Sequence, residues 1–457
     1  MAAAAGGKSS PITTIEKMES GFSKALLMRK ENQQEVIVKI PCRDAGPTCL
    51  TTASEVGVWN MYESTTIPAP QVLSRFSDGA NPVGPEYMVM KKASGVQVFQ
   101  KWEMAEIEKL ELIKNLAEIE AQFLAIRFPD YGGLYLRAAA KGSGYHYEAL
   151  DGSVDPSNSS CIGPSSDRSF IDVEGGVDQG PWNSISHLGV SIAKREHSRI
   201  LSKPLDMQST FYQGRIDEQV RPLESTIRLM PKLDFHPRLS QPVQPTLWHT
   251  DLHMGNIYVA PDDNSRITSL IDFQSMSVLP AFLQARWPRF LKPPQNYPKG
   301  FVQPKLPDNF NELDEDDKTI AQQEAAYNAL NVPRVFRELF IRCGEVSKAG
   351  ILPLQACLIE IFQNWSSYGF TGSSPFSFTK EEINLYEHRF AEYEAWNEVQ
   401  QLAQECLDTD VEGWIDPRLD FMEKKRLNKE LLAMFIERMA GEKSPEGARK
   451  MWPFPDE

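Results

Sequence analysis

Apolar positions in the first ninety residues fall in short runs broken by polar turns. "ITTIEKM" (12–18), "KALLM" (24–28) and "EVIVKI" (35–40) are β-prone stretches separated by "ESGFS" and "KENQQ". "TTASEVGVWNMYEST" then reads as a helix stopped by "IPAP", and "EYMVMKK" as a further strand. The pattern predicts an antiparallel sheet with one helix inserted after its third strand. Beyond residue 100 the period lengthens. Leu112, Leu116, Ile119, Phe123 and Ile126 recur at 4-3-4-3 spacing, which predicts a helix with one core-facing stripe ending before Pro129. Residues 130–181, with "KGSG", "DPSNSS" and "GPSSD", read as hairpins and mobile loop within the same unit. From 281 to 457 helical stretches alternate with Pro-rich connectors, the longest within 281–310. "NELDEDDK" predicts a helix start on a solvated face, its carboxylates suited to the positive end of the helix dipole. The expectation is an α+β chain, with a sheet-rich unit over 1–92 and a mostly helical unit over 93–457.

A chain of 457 residues, 41% hydrophobic and 24% charged, has the make-up of a globular protein rather than a disordered one. Its net charge of −14 argues against a general nucleic-acid binder, because phosphate backbones demand clustered Lys and Arg. The six cysteines form no CxxC pair, which suits a reducing compartment and offers no zinc framework. No run approaches the roughly 20 apolar residues needed to span a bilayer. The opening "MAAAAGGKSSPITTIEK" lacks an apolar signal core and carries no Arg, so it reads as a short disordered start without a clear presequence.

Chemistry concentrates in "LWHTDLHMGNIYVA" (247–260), followed by "SLIDFQ" (269–274). Three readings compete. His249 and His253 have the i, i+4 spacing of a zinc helix, but the motif's Glu is missing and Gly255 with "IYV" disfavours a helix. Asp251, Gly255 and Asn256 are turn formers, so a plain turn accounts for part of the pattern. The third reading is phosphoryl transfer, because Asp251 and Asn256 have the five-residue spacing of HRDxxxxN. "IYVA", "PDDNS" and "ITSLI" predict a hairpin that brings Asn256 and Asp272 to one end. Two oxygen donors there suit Mg2+, with Asp251 one loop away to accept a hydroxyl proton.

"HTDLHMGNI" with "LIDFQ" closely resembles the aminoglycoside phosphotransferase and choline kinase-like superfamily, whose loop reads roughly HxDLHxxN with a downstream IDxx aspartate. "VIVKIP", "TASEVGVWNMYESTTIPAPQVL", "NPVGPEYMVM", "FPDYGGLY" and "GPWNS" extend the resemblance to fungal phosphotransferase-domain proteins of the altered-inheritance-of-mitochondria-9 type, over most of the chain. The resemblance implies a protein-kinase-like bilobal fold, an antiparallel-sheet N-lobe and a mostly helical C-lobe, with ATP and Mg2+ between them. It implies that Asp251 is the catalytic base, that Asn256 and Asp272 hold the metal, and that His249 and His253 support the loop. Lys39 would reach the α/β-phosphates with Glu55 orienting it, the favoured role for Glu55 over its competitor, a "TASE" capping box with Thr52 as N-cap and Glu55 at N3. Gly21 would lie in the phosphate-covering loop. Met90, Lys91 and Lys92 would form the hinge whose backbone holds adenine. Loop 247–274 and the insertions 130–181 and 281–310 would shape the pocket of a small-molecule hydroxyl acceptor.

The chain departs from the family in three places. Ser20-Gly21-Phe22-Ser23 stands where two adjacent glycines and an Asn are usual, so the Ser20 Cβ restricts the backbone and an amide is lost. Lys91 stands where the hinge usually has an acid. The chain also starts just before its first predicted strand, while mitochondrial relatives carry upstream sequence, so a mitochondrial compartment by resemblance stands against a cytoplasmic one. The expected function is an ATP- and Mg2+-dependent phosphotransferase. The alternative is a weak or inactive kinase-fold protein that binds nucleotide or a partner in mitochondrial maintenance.

Overall fold

The computed structural model describes the chain except residues 1, 6–8, 19–20, 64, 141–143, 172–175, 203–214, 240–242, 286–287, 289, 292–308, 316, 319–320, 322–333, 410–418 and 455–457. Five strands, β1 (Ile12–Met18), β2 (Ser23–Lys30), β3 (Glu35–Pro41), β4 (Val72–Phe76) and β5 (Tyr87–Lys91), form an antiparallel sheet in the order β1-β2-β3-β5-β4. The apolar pattern missed β4. This edge strand, "VLSRF", has no fully buried residue, so the alternation that marks the other strands is weak.

Strand alternation gives the sheet two working faces. Val36 and Val38 of β3 join Tyr87 and Val89 on the outer face. The opening residues, expected to be disordered, instead pack Ala2 and Ala5 against that face. There the Ala5 carbonyl accepts the Lys30 ammonium, which makes burial of that charge tolerable. The inner face carries Met88 and Met90 and meets α1 (Leu50–Glu63) through Val56 and Trp59. Lys39 lies in register with Ala25 of β2 and Met88 of β5.

The start of α1 corrects the capping-box reading. The helix begins two residues before Thr52, and its orphan amides are answered by Glu86 from just before β5. Glu86 Oε1 accepts the Cys49 N–H (3.3 Å) and Oε2 accepts the Thr52 N–H (3.0 Å). A carboxylate at the positive end of the helix dipole does the capping, which leaves Glu55 for another partner.

The helical C-lobe starts with α2 (Glu106–Ala125), which buries Leu112, Leu116, Ile119 and Phe123 as the periodicity predicts, with Ile126 at its C-cap. The 130–181 insertion forms β7 (Gly133–Leu136), the short α3 (Arg137–Ala140), β8 (Glu148–Ala149) and β9 (Ser160–Gly163), paired in the order β7-β9-β8. Asp155 of "DPSNSS" ties its turn by accepting the Ser160 N–H (2.6 Å). A large core joins α4 (Ile185–Ser202), α5 (Ile216–Leu229), α6 (Ala281–Gln284), α7 (Arg334–Cys343), α8 (Val346–Ala349) and α9 (Leu352–Gln363). In "NELDEDDK", Asp314 Oδ1 accepts the Asp317 N–H (2.8 Å), so an acidic side chain does open a helical turn there. The chain ends in α10 (Lys380–Leu407), α11 (Phe421–Arg438) and α12 (Pro445–Met451). No helix among the described residues is long and apolar enough to cross a membrane.

Helix α1 and strand β7 touch at Gly57. A Cβ there would lie 2.2 Å from the Leu134 carbonyl oxygen, a backbone atom that cannot swing aside. Gly57→Ala is therefore expected to destabilise the protein by about 1–3 kcal/mol through overpacking, despite the better helix propensity of Ala. Urea denaturation checks this, and an unchanged midpoint would mean that α1 does not press on β7.

Candidate active site

The site is built around one ammonium group. Lys39 Nζ donates to Glu55 Oε1 at 2.8 Å and to Asp272 Oδ1 at 2.6 Å. Glu55 comes from α1, sixteen residues away, and Asp272 from the C-lobe, 233 residues away. Lys39 and Glu55 are buried, while the Asp272 side chain is 36% exposed and faces outward. Burial acts to lower the Lys39 pKa, but the two carboxylates outweigh it and raise the value above the ordinary one. For Glu55, burial dominates the pull of Lys39 and pushes its carboxyl above the usual range. For Asp272, burial also acts upward, but Lys39 more than offsets it and the carboxyl lies below its usual value.

Asp272 follows the hairpin formed by β11 (Ile257–Ala260) and β12 (Asp263–Leu270). The second strand begins earlier than expected, at Asp263, which shortens the turn to residues 261–262. The Ile271 N–H donates to Asn256 O at 3.1 Å, so Asn256 and Asp272 do flank one end of the hairpin. Asp272 has φ +67°, a left-handed conformation that Asp tolerates better than most residues. Behind it, Phe273 packs edge-on against Trp59 (4.5 Å) and Tyr62 (4.8 Å) of α1.

The 249–256 loop is held by neutral hydrogen bonds. His249 Nε2 donates to Ile271 O at 3.0 Å, and its Nδ1 accepts the Asp251 N–H at 3.3 Å. Both ring nitrogens are thus committed to backbone, and neither offers a lone pair to zinc. Burial lowers the His249 pKa, against a smaller upward contribution from the Ile271 bond. The amide Nδ2 of buried Asn256 donates to Asp251 O at 3.0 Å. His253 Nδ1 accepts the Gly255 N–H at 3.0 Å, which directs its Nε2 toward Asp251 Oδ2, 3.8 Å away. Asp251 and His253 are each 44% exposed, so this side of the site opens to solvent.

The other expected residues lie apart from this cluster. Met90 is buried within β5, paired with Ile37 and Val72, so its backbone belongs to the sheet ladder. The Lys91 N–H donates to Gln71 O at 2.9 Å, and the Lys92 ammonium pairs with Glu35 at 2.7 Å. Gly21 stands in open space: a Cβ there would meet no atom within 4 Å. Ser20 lies outside the described residues, as do 141–143, 172–175, 286–287, 289 and 292–308 of the expected acceptor loops. Sequence reasoning missed Gln97. It lies on β6 (Val96–Gln97), which pairs with β11, and its Nε2 donates to Gly255 O at 2.8 Å. A two-residue strand carries no periodicity by which it could have been found.

The family model described as "Phosphotransferase enzyme family" matches residues 14–282. A subtelomeric hrmA-associated cluster protein of Aspergillus fumigatus is 28% identical over 96% of both chains. Altered inheritance of mitochondria protein 9 of Lachancea thermotolerans is 24% identical over 249 residues, 48% of this chain and 40% of that one. Among solved structures, an aminoglycoside phosphotransferase complexed with streptomycin and ATP superposes with a TM-score of 0.40 at 16% identity, covering 79% of this chain and 94% of that one. Another, crystallised with AMP-PNP and hygromycin B, gives 0.38 at 12% identity, covering 76% and 94%. At those scores the superpositions carry no weight beside the sequence match. That match spans more than half of the chain and includes Lys39, Glu55, Asp251, Asn256 and Asp272, and on it the chain belongs to the phosphotransferase enzyme family.

Proposed function

We propose that the protein is an ATP- and Mg2+-dependent phosphotransferase that transfers the γ-phosphoryl group to a hydroxyl of a small-molecule acceptor. The observation that carries this reading is the Lys39 ammonium held between Glu55 (2.8 Å) and Asp272 (2.6 Å). It is a phosphate-binding cation, oriented by a helix carboxylate, beside an acidic group that can take a metal. The donor set suits Mg2+. Asp272 and the side-chain oxygen of Asn256 are hard donors at one hairpin end. No group of three or more His, Cys, Asp or Glu suited to a metal occurs among the described residues, so water and nucleotide phosphate would complete the shell, as Mg2+ prefers. When bound, the ion neutralises charge on the phosphates.

The chain's own residues do the rest. Lys39 holds the α/β-phosphates and Glu55 keeps its ammonium in place. Gly21 covers the phosphates from the β1–β2 turn, and the backbone leaving β5 after Met90, around Lys92, receives adenine. Asp251 accepts the acceptor's hydroxyl proton as the oxygen bonds to the γ-phosphorus. The bond from that phosphorus to the bridging oxygen breaks, and ADP leaves. His249, His253 and the Asn256 amide fix the loop that aims Asp251. The relatives named as mitochondrial support that compartment, which cell fractionation decides against the cytosol.

Screening metabolite pools for ADP release tests the reading. Asp251→Asn should lower transfer by roughly a hundred- to ten-thousand-fold while ATP binding persists, and equal activity would remove Asp251 from the base role. Wild type that binds Mg·ATP but turns over no acceptor would favour the binding-only alternative. In a thermal-shift titration, ATP should raise the melting temperature more with Mg2+ than without, and Asp272→Ala should abolish the difference. If Asp272→Ala keeps the Mg2+ increment, the metal sits elsewhere.

His249 gives a pH signature. Its folded pKa is depressed, so unfolding takes up a proton below the ordinary value of about 6.5. That stability is present above about pH 6.5 and declines as the pH falls toward the folded pKa. His249→Gln should flatten the fall in melting temperature below about pH 6.5. An unchanged slope would assign the fall to other groups.

A further inference from the structure

Away from the Lys39 cluster, α5 and α10 face each other across an open gap. Helix α5 presents Glu218, Arg221, Ser225 and Arg228 at i, i+3, i+7 and i+10, and α10 presents Glu382, Tyr386 and Arg389 at i, i+4 and i+7. Two ion pairs span the gap: Arg221–Glu382 at 2.9 Å and Arg389–Glu218 at 3.8 Å. The pairing is antiparallel, which carries Ser225 and Arg228 on toward the 375–378 segment preceding α10. Between the helices lies a cavity of about 520 Å³, floored by α9 and by that segment. None of Lys39, Glu55, Asp251, Asn256 or Asp272 lines it.

Helices that pack usually fill the space between them with side chains, whereas these two meet through ion pairs and leave a groove open to solvent. Its floor is apolar, with Ile351, Phe376 and Tyr386 buried. Its charges are unequal in their commitments. Glu382 is engaged by Arg221 and also accepts the Thr379 N–H at 2.8 Å, as the cap of α10. Arg228 differs: among the described residues it donates only to Ser225 Oγ (3.2 Å) and meets no carboxylate at ion-pair distance. The Tyr386 hydroxyl is buried away from solvent, so Tyr386 offers the cavity its ring and not its hydroxyl. The cavity thus joins an apolar floor to a strongly polar rim, and a ligand that fits both has a charged head and an apolar body.

We propose that this cavity is a second ligand site, taking a small molecule whose anionic head, a carboxylate or phosphate, sits on Arg228 and whose flat apolar body lies over Phe376 and Tyr386. The guanidinium offers a planar, two-donor edge that matches either anion. The cavity stands independently of the phosphoryl-transfer reading, since its residues are not those of the Lys39 cluster.

Isothermal titration of the full chain with phenyl phosphate, with benzoate and with inorganic phosphate tests the site and separates the two head groups. Saturable binding of phenyl phosphate or benzoate is expected, with inorganic phosphate weaker because it has no apolar body. Arg228→Gln should weaken that binding about tenfold, the effect of losing one charge-assisted contact. Arg228 is exposed, so its replacement leaves the fold intact. Ser225→Leu, which fills the gap, should abolish binding, with circular dichroism confirming the helices. Lys39→Met, which removes the phosphate-holding ammonium, should leave it unchanged. No saturable binding by either aromatic anion would overturn the proposal. So would binding that survives both Arg228→Gln and Ser225→Leu, or that is lost in Lys39→Met with its circular dichroism unchanged, because the anion would then sit at the phosphate site.

Discussion

A single ammonium ion shared by two carboxylates is the constraint on which the rest of the structure depends. Lys39 sits mid-strand on the inner face of a sheet, where a charge is tolerable only if paired. Glu55 supplies one partner from a helix packed on that face, and Asp272 supplies the other from across the molecule. Removing one member of such a buried pair commonly costs about 3–5 kcal/mol, because the remaining charge is left uncompensated. The contact therefore fixes three elements at once: the register of β3, the rotation of α1, and the position of the chain leaving β12.

The neighbouring loop is held by different means. His249, Asn256 and Gln97 fasten it through uncharged hydrogen bonds to backbone, at 2.8–3.0 Å for their donated bonds. Ionisable groups stand at the rim: Asp251, His253 and the exposed side of Asp272. Phe273 extends the framework inward, since its ring is gripped by Trp59 and Tyr62 on the same helix that carries Glu55.

Much of this could be read from the sequence because it is written locally. The five-residue spacing of Asp251 and Asn256, the hairpin ending at Asp272, and the 4-3-4-3 stripe of α2 are all short-range patterns. Lys39 was legible as a charge in an otherwise apolar strand. What escaped depends on distant partners. Glu86 caps a helix that begins more than thirty residues before it, so "TASE" looked self-sufficient when it was not. Strand β4 lies at a sheet edge and needs no apolar alternation. The opening alanines have no pattern of their own, and they are ordered by the buried Lys30 that needs their carbonyl. Local chemistry was visible, whereas long-range satisfaction of single polar groups was not.

The short strand β6 bears on how the two lobes can move. β5 ends at Lys91 and β6 begins at Val96, and β6 is already zipped to the C-lobe hairpin through Val259 and Tyr258. Gly95, at φ +99°, passes so close to β11 that a Cβ would lie 2.3 Å from Val259 O, and the Thr268 hydroxyl holds Ser94 O at 2.7 Å. Slack in the connector is thus confined to Lys92 and Ala93, a tether of roughly 7 Å at full stretch. A door on so short a hinge can swing but hardly slide. Opening it strains the Lys39–Asp272 contact on the far side together with the packing of α1 on Phe273 and on Leu134, so the cleft can gape only as far as that joint contact yields.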